Sequence, residues 1–358
     1  MKMESRLSRQ SNLELLRIIS ILFVLIVHFD FGTFGVPVHA DLLNSKSTAI
    51  VKCLIECFAI IGVNAFVLIS GYFGVKIKIN SVMNLLFQCF FYSVILYIVL
   101  WILGFVDFNA KRMLQKFLFV TESNWFWFIS CYLGLLVFSP MVNNFIDSVK
   151  RRKLELFIIS IFLFQSYFGY LRFACAGFWH GYSILSFIII YCIGRYIRLY
   201  GSDVRFFLNK KISDFLVYVF FISLNFFAVL FFLFYTNQPL MKLYDYNNPL
   251  LIIASVYFFL FFLKLKIPQN KCINMVAIST LAVLLFHSQA EIGVYYKSIL
   301  HYAFDNYATF QFFLVAIGLL LLIYIVVFLI DQIRIWMQKK LFEYILPPIN
   351  NLMSKLKL

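Results

Sequence analysis

Charge is scarce in this chain: only 13% of its 358 residues are Asp, Glu, Lys or Arg, and the acidic ones number 16. So few ionised groups cannot solvate a chain that is 63% hydrophobic and 20% aromatic. A water-soluble globular domain is therefore excluded, and lipid is the solvent. Proline and glycine are also sparse, at 7 and 14. No Gly/Ser/Pro-rich linker interrupts the sequence, so one domain is expected. Strand-length alternation of polar and apolar residues is missing, which excludes a membrane β-barrel. The 7 cysteines include no C-x-x-C pair and fall mostly in apolar runs, as buried inert thiols do. No H-E-x-x-H, Cys/His ligand spacing, G-x-S-x-G elbow or phosphate-cradling P-loop occurs, so no metal is expected.

What the chain does have is apolar runs. A membrane-spanning helix needs about 20 such residues, and the sequence offers about ten candidates. They are 13–31, 50–73, 81–105, 125–146, 154–170, 181–199, 214–236, 249–264, 274–292 and 309–332. The expected fold is all-α and polytopic. Lys and Arg number 31, giving a formal charge of +15. With the N-terminus inside, they concentrate in cytoplasmic segments: Lys2, Arg6 and Arg9, then Lys150 to Lys153, then Arg195, Arg198, Arg205, Lys210 and Lys211. Acidic residues show no such bias. That is the positive-inside pattern, so the charge reports topology rather than a nucleic-acid partner, and both termini are expected in the cytoplasm. Basic residues and an apolar core open the chain as in a signal peptide. The run is long and Val38-His39-Ala40 is a poor cleavage site, so it reads as a retained first helix. Residues 1–332 form the expected membrane domain, and 333–358 a short basic amphipathic tail on the inner surface. "NAKRMLQKFLFVTE" (109–122) reads as a short interfacial helix on the outer side.

The first run, "SNLELLRIISILFVLIVHFD" (Ser11–Asp30), carries a permanent cation, Arg17, and a titratable imidazole, His28. Eleven residues at 100° each place them about 20° apart on one helix face, separated by about 16 Å along the axis. A guanidinium is costly in hydrocarbon and snorkels to lipid phosphates when alone, and a single histidine suits an interface. Their common face favours one polar seam instead, binding an anion at its inner end and performing proton chemistry toward its outer end. All 5 histidines map to the outer half or outer loops. Glu56 lies at a depth similar to His28 and could orient the imidazole, with Asp30 as a rival on another face. His287 and Glu291 are expected as i,i+4 neighbours on the ninth helix, a polar helix-end contact if nothing more. The second helix ends "GVNAFVLISGYFGVKIK" (Gly62–Lys78), bringing Ser70, Gly71 and Tyr72 to the inner boundary ahead of Lys76 and Lys78. Small residues there admit a backbone or a ligand, and two lysines could hold phosphates, although they also suit a plain helix end.

These residues together resemble acyltransferase family 3, the membrane O-acyltransferases of bacterial surface glycans. "LELLRIISILFVLIVHF" is similar to the family's first span, in which an arginine and a histidine have ten residues between them, as Arg17 and His28 do here. "NAFVLISGYF" resembles the Phe-rich second span ending in Ser-Gly, here Ser70-Gly71. "WFISCYLGLLVFSPMVNNFI" (Trp127–Ile146) is like the Trp-led fourth span that reaches a Ser-Pro, here Ser139-Pro140. "FIIIYCIGRYIRLY" (Phe187–Tyr200) resembles a sixth span of the capsule-modifying branch, and "LLFHSQ" a late span with a histidine, here His287. Paired arginines, R-x-x-R, often follow the family's second span; here Lys76-x-Lys78 stands in their place. Some members carry a fused esterase-like domain. The chain shows none, and is expected to act alone, with an outside partner, or on a different acceptor.

The resemblance implies a multi-pass protein of the bacterial cytoplasmic membrane. It would move an acyl group, acetyl foremost, from cytoplasmic acyl-CoA to a sugar hydroxyl of a surface or exopolysaccharide, capsule included. No permanently bound cofactor is implied; acetyl-CoA or another acyl-CoA is the co-substrate. Its partners would be membrane lipid, the polysaccharide or lipid-linked glycan, and other glycan-assembly proteins. Arg17, Ser70, Gly71, Tyr72, Lys76 and Lys78 would bind the donor, and His28 with Glu56 would be catalytic, His28 as general base or transient acyl carrier. Asp30, Trp125, Trp127, His287 and Glu291 are candidates on the acceptor side. A pantetheine arm extending roughly 3.3 Å per unit is long enough to climb the seam. The alternative is a glycan exporter or flippase without acyl chemistry, its tryptophans stacking on passing sugars. A sensor or scaffold whose polar residues only stabilise packing is a third reading.

Overall fold

The computed structural model describes residues 9–118, 127–172, 175–204, 210–236 and 240–355. No strand occurs among them, as expected where lipid offers backbone N–H and C=O groups no hydrogen-bond partner. Nine helical stretches among the described residues are long and apolar enough to cross a membrane. They run Ser11–Phe34, Ser45–Phe73, Ile79–Ile102, Trp127–Ser148, Arg151–Leu171, Ile184–Asp203, Lys211–Tyr235, Met241–Leu263 and Thr309–Tyr344. A bent pair, Lys271–His287 with Ala290–Asn306, makes ten if counted as one span. The order matches the apolar runs, with one correction. The ninth run, expected as one helix over 274–292, breaks at Ser288-Gln289, and the following helix departs at 86°.

Local chemistry sets the boundaries. Gly74, at φ +71°, ends the second span in a left-handed conformation that only glycine adopts freely. Asn248 caps the helix Pro249–Leu263, its Oδ1 accepting from the Leu250 N–H at 3.0 Å, with Pro249 in the first turn, where no N–H is needed. Ser183 caps Ile184–Tyr200 and Asn109 caps Ala110–Phe117 in the same way.

The chain divides into two compact units, Met1–Lys76 with Trp127–Thr280, and Ile77–Phe126 with Leu281–Leu358. In the first unit the helix Gly62–Phe73 is central, packed by the first span, Ile184–Tyr200 and Pro249–Leu263. Glycines make this possible. A Cβ on Gly71 would lie 2.3 Å from the Tyr191 carbonyl oxygen, and one on Gly194 2.5 Å from that of Leu68. One on Gly62 would lie 2.7 Å from that of Ser20. Backbones therefore touch at these crossings, the small-residue packing used where no hydrophobic effect pulls helices together.

The second unit holds the third span, with a π-helical turn at Phe91–Ile95, the short helix Ala110–Phe117 and the last helix, Thr309–Lys355. That last helix has 47 residues. It is about 70 Å long, more than twice the bilayer's hydrocarbon thickness, and continues without a break through the residues expected to form a separate tail. Within it Asp331 and Arg334 pair at 2.5 Å, both buried, and the Tyr92 hydroxyl in the π turn donates to Asp331 at 3.1 Å. Gln338 links Arg334 to Asn84.

Candidate active site

The first span is α-helical from Ser11 to Phe29, and Arg17 and His28 are both half-buried on it. At about 100° per residue, the buried Leu13, Leu16, Ser20, Ile21, Val24 and Leu25 spread over an arc with Arg17 and His28 near its middle. Both side chains therefore lie on the face that enters the bundle. The start of the helix is pinned: Asn12 Nδ2 donates to the carbonyls of Phe262 and Leu263 at 3.1 Å each, and Ser11 accepts from the Asn270 N–H at 2.8 Å.

Around the Arg17 end the unit is basic. Arg17 Nε lies 3.8 Å from Glu14 Oε2 and has no hydrogen-bond partner among the described residues, although it is buried. The turn after Phe73 is clamped at Val75. Its N–H donates to the Tyr191 hydroxyl at 3.0 Å, and its carbonyl accepts from Asn143 Nδ2 at 2.8 Å. The Tyr191 hydroxyl in turn donates to Asn143 Oδ1 at 2.7 Å. Onto this turn the sixth span brings Arg195 and Arg198. Arg195 lies against Gly74 and bridges to Asp147 at 3.2 Å, and its buried Nε has no hydrogen-bond partner among the described residues. Arg198 donates to the Tyr72 hydroxyl at 3.0 Å and lies over the Tyr72 ring.

The residues expected at this end fare differently. Ser70 Oγ is spent on the Phe66 carbonyl, and Gly71 is covered by the Tyr191 backbone, so the small residues admit a helix rather than a ligand. Tyr72 is buried beneath Arg198. Lys76 is exposed; Lys78 is exposed and belongs to the second unit. Arg195 and Arg198 were read from sequence only as topology-setting charges, and their R-x-x-R spacing was the available signal.

At the His28 end acids and aromatics gather. Asp30 pairs with Lys52 at 3.6 Å, and Lys52 also donates to the Gly35 carbonyl at 3.2 Å. Glu56 is 1% exposed, within electrostatic reach of Asp30 and Lys52, and its Oε2 has no hydrogen-bond partner among the described residues. The Thr33 hydroxyl donates to the His28 carbonyl at 3.0 Å. Trp127 packs on Tyr182 with ring centroids 4.4 Å apart and on Tyr246 at 5.2 Å. Trp125 lies outside the described residues.

His287 and Glu291 belong to the second unit, and the break between their helices removes the expected shared face. The fully buried His287 donates from Nδ1 to the Val283 carbonyl at 2.5 Å. Glu291 is paired with Lys116 at 3.1 Å and Arg112 at 3.7 Å, and Lys116 also donates to Gln289 at 2.8 Å. Burial holds Lys116 below the ordinary lysine value, against the opposing pull of Glu291. These contacts anchor the helix Ala110–Phe117 beside the break.

The family model of the acyltransferase domain, acyltransferase family 3, matches residues 10–344. No curated protein and no solved structure matches the chain.

Proposed function

Because the chain belongs to acyltransferase family 3, we propose that it moves an acetyl group from cytoplasmic acetyl-CoA to a hydroxyl of a bacterial surface polysaccharide, with the Arg17 end of its first unit facing the cytoplasm. The observation that carries this reading is the placement of Arg17 and His28 along the packed face of one helix. They join a basic end to an end rich in carboxylates and aromatics.

In this reading the CoA phosphates dock on Arg17, Arg195, Arg198 and Lys76, where guanidinium forks suit phosphate oxygens. The pantetheine arm rises about 16 Å along the first span toward His28. His28 takes the proton of the acceptor hydroxyl as that oxygen attacks the thioester carbonyl. The tetrahedral intermediate collapses to an O-acetyl ester, and CoA leaves as a thiolate that recovers the proton from the imidazolium. Glu56 stabilises the imidazolium during the interval when it carries charge.

The test uses membranes containing the protein, acetyl-CoA labelled in the acetyl group, and surface polysaccharide stripped of esters by mild base. Label should pass to the polysaccharide and fail to do so with His28→Ala. Transfer that survives this substitution overturns the assignment. An exporter without acyl chemistry predicts no label transfer, and loss of surface polymer when the gene is deleted.

A further inference from the structure

His180 is the one non-glycine in the left-handed region among the described residues, at φ +55°. Such a conformation costs free energy and persists only where its surroundings over-determine it. Here they do. The His180 carbonyl accepts from the Tyr246 N–H at 3.1 Å, and Nδ1 lies 2.9 Å from Asp245 Oδ2. The next residue, Gly181, has φ +86°, and a Cβ there would lie 2.7 Å from the Asn247 nitrogen. Two loops far apart in sequence are thus locked backbone to backbone, and the lock forms a histidine–aspartate pair. Asp245 is 4% exposed and His180 37% exposed, so the carboxylate is shielded while the ring reaches the surface. The Nδ1 contact with Asp245 fixes the orientation of the ring.

Beside this pair are polar atoms that the described residues leave unsatisfied. Asn247 is 0% exposed, yet neither its Oδ1 nor its Nδ2 has a hydrogen-bond partner among the described residues. Asn64 is 1% exposed; its Nδ2 donates to the Tyr246 carbonyl at 3.1 Å, while its Oδ1 has no partner among the described residues. A buried amide without partners costs free energy unless a ligand supplies them. Trp127 and Tyr182 meet edge to face at 4.4 Å on the same segment, since both pack on Tyr246. A pyranose presents apolar C–H faces and a rim of hydroxyls that both donate and accept. Aromatic rings match the faces; a carboxamide and a histidine held by aspartate match the rim.

We propose that His180, Asp245, Asn247 and Asn64, walled by Trp127 and Tyr182, form the sugar-binding subsite for the acceptor. This rests on the acyltransferase reading for its role, but the binding chemistry stands separately. Asp245 positions the His180 ring, and His180 and Asn247 hold acceptor hydroxyls so that a neighbouring one is presented to the reaction.

Asn247→Ala gives the cleanest test, because the side chain makes no hydrogen bond among the described residues to lose. The purified full-length protein is titrated with base-treated surface polysaccharide fragments while tryptophan fluorescence is followed without acetyl-CoA, and transfer kinetics are measured in parallel. Asn247→Ala and His180→Ala should each weaken fragment binding about tenfold or more and raise the acceptor KM equally. The KM for acetyl-CoA and the melting temperature of Asn247→Ala should not move, and His180→Gln should restore part of the binding. Unchanged fragment binding in Asn247→Ala, or an equal rise in the acetyl-CoA KM, overturns the subsite. Fragment binding that responds to both substitutions, in a wild-type protein that transfers no label, keeps the subsite and removes the acyl-transfer reading instead.

Discussion

Arg195 lies so close over Gly74 that a Cβ at position 74 would come within 2.7 Å of its Nη1. This contact joins the turn after the second span to the sixth span, and puts an arginine pair where Lys76-x-Lys78 alone was expected. If these arginines hold the donor, Arg195→Ala and Arg198→Ala should each raise the KM for acetyl-CoA ten- to a hundredfold. That corresponds to losing a charge-assisted hydrogen bond of about 1.5–3 kcal/mol. Lys76→Ala, at an exposed position, should cost less. Initial rates over a range of acetyl-CoA concentrations check this; an unchanged KM in both arginine variants removes them from the donor site.

Gly74→Ala tests the same junction through the backbone. At φ +71° a side chain is strained wherever it points, and here it also meets Arg195. The variant should lose about 1–3 kcal/mol of stability. The donor KM should rise with it, because the turn that carries Lys76 is displaced. A thermal melt read beside the kinetics separates the two effects.

The first span makes a sharper demand. Arg17→Lys keeps the charge but gives up the planar fork, so transfer should fall by roughly tenfold, and Arg17→Ala further. His28→Ala should remove at least about a hundredfold of kcat if the imidazole moves the proton. Expression must match the wild type in each case, since a charge change in a span also alters insertion. A normal rate with His28→Ala would falsify the proton-transfer role outright.

Helix periodicity made the Arg17–His28 relationship legible in the sequence, because one helix carries both residues and its apolar run fixed its type. Hydropathy likewise found the spans, since a bilayer selects for composition. It could not find the break at Ser288-Gln289: apolar residues on both sides read as one run, and composition carries no direction. Arg195 and Arg198 were hidden for another reason. In the positive-inside reading Lys and Arg crowd every inner boundary, so a pair proposed for a site looks like any other topology signal. His180 and Asp245 lie 65 residues apart in two loops, and only the fold brings them to 2.9 Å. Gly71 showed as a small residue, but whether helix or ligand filled the space depended on Gly194 and Tyr191.

That last point gives a test of packing against binding. A methyl on Gly71 meets the Tyr191 carbonyl oxygen at 2.3 Å, and backbone on a packed helix cannot step aside as a flexible side chain would. Gly71→Ala should therefore cost at least about 1–3 kcal/mol, the usual penalty of overpacking, and lower the yield of folded protein. The folded fraction should keep its acetyl-CoA KM. A raised KM with an unshifted melt would return Gly71 to the donor site.

The Glu291–Lys116 pair bears on which kind of residue Glu291 is. Their side chains are 3% and 9% exposed, and Lys116 also holds Gln289 at the break between two helices. Removing Lys116 leaves the buried Glu291 carboxylate only the longer contact with the exposed Arg112, so Lys116→Met should cost up to about 3–5 kcal/mol. Replacing both with apolar residues of similar size leaves no stranded charge, so the double variant Lys116→Met/Glu291→Met should recover most of that loss. Glu291→Gln should act on stability in the same direction as Lys116→Met. A residue handling the acceptor would behave in the opposite way: Glu291→Gln would cut transfer per folded molecule and leave the melt untouched. Melting in detergent, with transfer normalised to folded protein, distinguishes the two, and the ion pairs at 3.1 and 3.7 Å favour the structural outcome.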